Sequence, residues 1–171
     1  MSKNTPSLSI RSFERDDLPE ALAIQSQVYP AFLVEGETSF ASRLDAGGAY
    51  CVVAIVEGQL AGYLLAHGWD SNSPPQLGAP LADTRLAEIL FIHDLAVSTA
   101  GQGLGVGRKL VNCAFDTAAR NGLSFAELVA VEGAASFWRA LGFADLEVLP
   151  VIKAKLAGYG NRAVWMGRDI E

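Results

Sequence analysis

Between residues 101 and 107 glycine takes every second place: Gly101, Gly103, Gly105 and Gly107. An amphipathic, helix-like stretch follows. A helix start collects unpaired backbone N–H groups and the positive end of the helix dipole. Glycines there let the main chain approach a bulky anion closely. Such a cradle suits a phosphate or pyrophosphate. A few residues upstream, His93 and Asp94 interrupt a long apolar run. Histidine changes charge near neutral pH, so it is the natural candidate for moving a proton beside the cradle.

These residues need elements to hold them. Residues 8–13 alternate apolar and polar and read as a first strand. Asp16, Asp17 and Pro19 signal a helix start, and Pro30 ends that helix. Thr38 or Ser39 can cap a second short helix, which Gly47 and Gly48 stop. Residues 50–56 and 60–67 are β-branched, apolar runs joined by Glu57-Gly58-Gln59, an antiparallel hairpin. Residues 69–85 are irregular, a loop that serves either a substrate pocket or only a solvated connection. Residues 86–97 read as a central strand buried on both faces. The helix after Gly105 carries Val106, Leu110, Ala114 and Ala118 on one stripe, and Asn121-Gly122 stops it. Residues 123–131 form another buried strand, parallel to the central one across a βαβ unit. Residues 133–141 read as a short helix. Residues 143–149 and 163–169 can pair as a last hairpin, with a connection at 150–162.

The glycine spacing discriminates between phosphate sites. A dinucleotide fingerprint starting at Gly101 would need glycine at Val106, and one starting at Gly103 would need it at Arg108. No Gly-Lys-Ser/Thr follows, so the P-loop pattern fails too. The pattern present is Gln102-x-x-Gly105-x-Gly107, preceded by Leu95-Ala96-Val97. A second mark is Ser136-Phe137-Trp138-Arg139-Ala140-Leu141-Gly142-Phe143. With these two motifs in this order, the chain resembles the GNAT superfamily of acyl-CoA-dependent N-acyltransferases. The element order β-α-α-β-β-β-α-β-α-β-β matches over nearly the whole chain.

The resemblance implies an α/β (α+β) fold, a mixed central sheet of about seven strands with four flanking helices. It implies one domain over residues 1–171, with 1–7 a frayed tail. Acetyl-CoA is the implied co-substrate. Its pyrophosphate would lie on Gln102, Gly103, Leu104, Gly105, Val106 and Gly107, with Arg108 adding charge. Its pantetheine arm would pair with Leu95, Ala96 and Val97 where the central strand splays from its parallel neighbour. A backbone N–H near Leu95 would polarise the thioester carbonyl. The acceptor would be a primary amine of a small molecule or peptide, attacked directly. Alternatives that keep the cradle are a different acyl donor or a non-catalytic acyl-CoA sensor.

Direct attack calls for a base that takes the amine's proton, and an acid for the thiolate. The family often uses a tyrosine on the later helix as the acid. Trp138 stands there, and an indole N–H cannot serve. Trp138 is instead expected as an apolar wall at the thiol end of the cofactor. His93 is the expected base, on the same face as Leu95, with Asp94 pointing to the opposite face. His67 is a second histidine that could face the pocket, and Tyr159 is the spare acid.

Composition is that of a globular chain. The chain has 171 residues, 50% hydrophobic and 19% charged, enough for a sizeable core. A net charge of -6 argues against general nucleic-acid binding. Cys51 and Cys113 are expected as free thiols, and the two cysteines and two histidines lack metal-ligand spacing. No run approaches ~18 apolar residues and the N-terminus lacks an apolar signal core, so a cytoplasmic protein without membrane attachment is expected. The apolar content also permits a homodimer.

Overall fold

A computed structural model describes residues 4–81 and 87–171. Leu86 of the expected central strand, residues 82–85 of the expected loop and residues 1–3 of the tail lie outside them. Among the described residues seven strands form one sheet: β1 (Leu8–Ser12), β2 (Val52–Val56), β3 (Gln59–Trp69), β4 (Ile89–Val97), β5 (Phe125–Ala130), β6 (Ala144–Asp145) and β7 (Val164–Asp169). Their order is β1-β2-β3-β4-β5-β7-β6. Only β4 and β5 run parallel; the other neighbours are antiparallel.

Among the described residues five α-helices flank the sheet: α1 (Leu18–Val28), α2 (Glu37–Gly47), α3 (Val106–Arg120), α4 (Ala135–Ala140) and α5 (Pro150–Leu156). The fifth was expected as part of the connection between the last two strands. Pro150 at its first position and buried Ile152 and Leu156 make it a helix that packs on the sheet. The stripe of α3 is buried as its spacing predicts, with Val106, Leu110, Val111, Ala114, Phe115 and Ala118 against Leu64, Ala66, Leu90 and Ile92 of the sheet. On the other face, α1 and α2 cover Val53, Tyr63, Leu65 and Ala96. Cys51 and Cys113 are free thiols.

Two irregularities in β4 shape the site. The first is a bulge. Leu65 pairs with Asp94 and Ala66 pairs with Ile92, so the register skips His93. One extra residue on a strand reverses the side-chain alternation beyond it. Asp94 therefore shares the α1/α2 face with Leu65, and Leu95 packs on the α3 face. This corrects the expectation that His93 and Leu95 share a face with Asp94 opposite, since a period of two holds only along an unbulged strand.

The second irregularity is a splay. Pairing of β4 with β5 covers only Leu90–Ala126, Phe91–Glu127 and Ile92–Leu128. Beyond Ile92, β4 stays paired with β3 and β5 follows β7. The Ser98 N–H donates to the Ala61 carbonyl at 2.8 Å. By the antiparallel alternation, the main-chain groups of Leu95 and Val97 then face away from β3, into the gap.

Candidate active site

Two cavities meet in that gap. One is lined by Leu95, Val97, the loop from Gly101 to Arg108, and Phe137. The other lies deeper, between His93, Asp94, Tyr29, Glu35, Trp138 and Tyr159. Leu95 and Phe137 line both, so they form the junction.

The first cavity ends on the glycine loop. Gly103 and Gly105 have φ of +77° and +70°, a left-handed conformation that glycine adopts without strain. Gly105 is the N-cap of α3 and supplies no side-chain cap. The first amides of α3, at Val106, Gly107 and Arg108, therefore have no intrahelical acceptor and point into the cavity end. Gly107 lets the Phe137 ring lie against the loop, because a Cβ there would stand 2.9 Å from Phe137 Cζ.

The second cavity has a polar floor on the α1/α2 side. His93 Nε2 bonds the carboxylate of Glu35 Oε1. Glu35 Oε2 accepts from Ser39 Oγ at 2.8 Å and from the Gly78 N–H at 3.1 Å, and lies 3.6 Å from Arg43 Nη2. The Gln25 side chain clamps the Glu35 backbone, accepting from its N–H at 2.8 Å and donating to its carbonyl at 3.1 Å. Burial pushes the Glu35 carboxyl up, but the His93 bond, Arg43 and Ser39 outweigh it and bring it down to about 2. Burial holds His93 below the ordinary histidine range, aided by the Arg43 charge and opposed by Glu35. At neutral pH this is a carboxylate facing a neutral imidazole. The carboxylate can only accept, so it fixes the proton on Nε2 and leaves the lone pair on Nδ1. Nδ1 is buried and has no hydrogen-bond partner among the described residues.

Asp94 stands beside this pair. Its Oδ2 accepts from Tyr63 Oη at 2.7 Å, and Tyr29, whose hydroxyl lies against the Asp94 carboxyl, donates to the Leu95 carbonyl at 2.6 Å. Desolvation pushes Asp94 up to about 7, opposed by the Tyr63 hydrogen bond and by the Tyr29 hydroxyl beside it. Burial likewise raises the Tyr29 hydroxyl, with Asp94 adding to it.

The apolar walls come from α4 and from the loop after β3. The Trp138 ring stacks edge-on against Phe137 at 5.0 Å and Phe143 at 5.3 Å. Tyr159 lines the cavity, and its hydroxyl donates to the Pro75 carbonyl at 2.6 Å. The described part of the irregular loop is tied to the floor, since Gln76 and Ala79 carbonyls accept from Arg43 and Leu77 lines the cavity. Through Leu77 the described part of this loop reaches the deeper cavity. His67 is fully buried under Trp69 and Phe91, with Nδ1 on the Gly68 carbonyl, and does not line the cavity.

The structure gathers Leu95, Val97, Gln102, Gly103, Gly105, Val106, Gly107 and Arg108 around one cavity, and His93, Trp138 and Tyr159 around the other. Ala96 points its side chain into the α1/α2 core. Leu104 packs partly buried against the α3-side core. Sequence reasoning missed Glu35, Tyr29, Arg43 and Phe137. One signal was readable: Phe40, Arg43, Leu44 and Gly47 fall at i, i+3, i+4 and i+7, which puts an arginine on a buried stripe and demands an acidic partner. Nothing in the residues around Glu35 marks it as that partner. Among the described residues there is no cluster able to hold a metal, and no helix is long and apolar enough to cross a membrane.

Residues 10–143 match the family model of the acetyltransferase (GNAT) family. A comparison with curated protein sequences finds no match. Solved structures with the same fold include Ard1 from Thermoplasma volcanium, at 16% identity and TM-score 0.73, covering 96% of this chain and 98% of that one. The ribosomal-protein-S18-alanine N-acetyltransferase from Escherichia coli is 20% identical with TM-score 0.68, covering 96% and 95%. Arabidopsis thaliana Naa50, solved with the bisubstrate analogue CoA-Ac-MVNAL, is 15% identical with TM-score 0.69, covering 95% and 98%.

Proposed function

The chain belongs to the acetyltransferase (GNAT) family, and on that premise we propose that it transfers the acetyl group of acetyl-CoA to a primary amine of a small molecule or peptide by direct attack. The two joined cavities support a donor and an acceptor that meet at Leu95. The pyrophosphate rests on the amides of Gly103 to Arg108 at the α3 N-terminus, with the Arg108 side chain at the rim. The arm runs past Val97 and Leu95, whose main-chain groups face the gap. The Leu95 N–H is the donor for the oxyanion that develops on the thioester oxygen. Trp138 and Phe137 shield the reacting carbon from water.

The acceptor enters the deeper cavity. Its amine gives up a proton to Nδ1 of His93, whose tautomer the Glu35 carboxylate fixes. The nitrogen lone pair forms the new C–N bond as the C–S bond breaks. The single observation that carries this reading is the Glu35–His93 bond at the cavity floor. A sensor that only bound acyl-CoA would need the glycine loop and the strand, but no buried carboxylate–imidazole pair. Calorimetry with acetyl-CoA, followed by mass spectrometry of a primary-amine panel incubated with enzyme and acetyl-CoA, tests the proposal. Acetylated products support it; tight binding with no product on any amine favours the sensor. Peptides with a free α-amine belong in the panel, because the bisubstrate analogue bound to Naa50 and the S18-alanine enzyme point to such acceptors for those proteins.

A further inference from the structure

Trp138 leaves the departing thiolate without the usual donor, and the cavity supplies another. We propose that Tyr29 is the general acid of this site, giving its hydroxyl proton to the departing sulfur, and that Asp94 stands behind it as the proton source. The inference rests on the acetyl-transfer reading above. Three observations place these groups. Tyr29 and Asp94 both line the deeper cavity, which meets the glycine-loop cavity at Leu95 and Phe137. The Tyr29 hydroxyl donates to the Leu95 carbonyl at 2.6 Å, on the main chain that faces the thioester arm. The bulge at His93 turns Asp94 onto this face, where Oδ2 is held by Tyr63 and buried Oδ1 has no hydrogen bond among the described residues.

The step balances. The C–S bond breaks and its electron pair stays on sulfur. The Tyr29 proton moves to sulfur, and the Asp94 proton moves to the Tyr29 oxygen. Asp94 is left as a carboxylate, and the proton that His93 took from the amine returns to it through water. Tyr29 alone would be a poor donor, because burial holds its proton tightly. Backed by Asp94, the net transfer runs from a carboxyl near 7 to a thiolate whose free acid lies at about 8.5, which is downhill. The groups that face Asp94 are Tyr29 just after α1, Tyr63 from β3, Glu35 ahead of α2, Arg43 from α2 and His93 on its own strand. Glu35 raises Asp94 and Arg43 lowers it.

The test compares wild type, Tyr29→Phe, Asp94→Asn and His93→Gln with acetyl-CoA and with its selenoester analogue, whose selenolate departs without a proton. Tyr29→Phe should lower kcat roughly 10²-fold with acetyl-CoA while the acetyl-CoA Kd and the acceptor KM stay within about twofold. The selenoester should restore it to within a few-fold of wild type. Wild-type kcat should fall above neutral pH as Asp94 ionises, and Asp94→Asn should lose that falling limb. The His93→Gln deficit should persist with the selenoester, since it concerns the amine. Full kcat in Tyr29→Phe, or a deficit that the selenoester leaves untouched, overturns the inference. Full activity in His93→Gln beside a rescued Tyr29→Phe overturns the base assignment and leaves this inference standing. A wild type that acetylates no amine removes both.

Discussion

His93 and Asp94 are chain neighbours, yet their side chains lie on the same face of the sheet. The bulge between Leu65 and Ala66 pairings brings them there, and it puts a hydrogen-bonded imidazole and a raised carboxyl on one cavity floor. Both depend on the α1/α2 side of the molecule, which supplies Tyr29, Glu35 and Arg43.

Asp94 makes stability depend on pH. Folding raises its carboxyl from 3.8 to about 7, so within that window the folded chain holds a proton that the unfolded chain releases. Its contribution is full below the unfolded value and is lost as pH rises through the folded one. The Tm of Asp94→Asn relative to wild type should therefore climb across this window and level off above it. A flat difference across the window would place Asp94 in an ordinary environment.

Glu35 answers for the buried Arg43. Glu35→Gln keeps an acceptor for His93 but leaves the fully buried guanidinium without its counter-charge. Removing one partner of a buried pair costs about 3–5 kcal/mol. Urea unfolding should show a loss of that order, and Arg43→Met added to Glu35→Gln should recover part of it. Additive losses in the double variant would deny the coupling.

Tyr159 ties the turn after α5 to the loop after β3 through Pro75. Tyr159→Phe removes that bond, worth about 1 kcal/mol net. The acceptor KM should rise several-fold with kcat little changed, because the loop that carries Leu77 loosens. A kcat fall with an altered alkaline limb would make Tyr159 an acid instead.

Gly105 caps α3 in the left-handed region. Gly105→Ala should cost about 1–2 kcal/mol and weaken CoA binding, read by calorimetry and thermal melts. Unchanged affinity would move the phosphates off the loop.

The glycine-loop cavity was legible in the sequence because main chain builds it. A glycine at a fixed offset from a helix start has a direct physical meaning, and the α3 stripe and the β4–α3–β5 crossover follow from periodicity. Trp138 lines the deeper cavity from α4. The floor of the deeper cavity was hidden by a single inserted residue. A bulge leaves no mark in the apolar pattern of Phe91-Ile92-His93-Asp94-Leu95, so the face of Asp94 was misread. Glu35 and Tyr29 reach the floor from segments far from β4 in the chain, and only tertiary packing of α1 and α2 brings them in. The Pro150–Leu156 helix was missed because it is short, and sheet contact rather than propensity holds it.

The central claim is that the Glu35–His93 pair deprotonates an amine beside CoA held on the glycine loop. The most direct measurement is kcat/KM for amine-dependent CoA release, wild type against His93→Gln, at saturating acetyl-CoA and across pH. The account predicts a fall of roughly 10²–10⁴-fold, loss of the acidic limb, and unchanged acetyl-CoA affinity. An unchanged rate and pH profile in His93→Gln would contradict it.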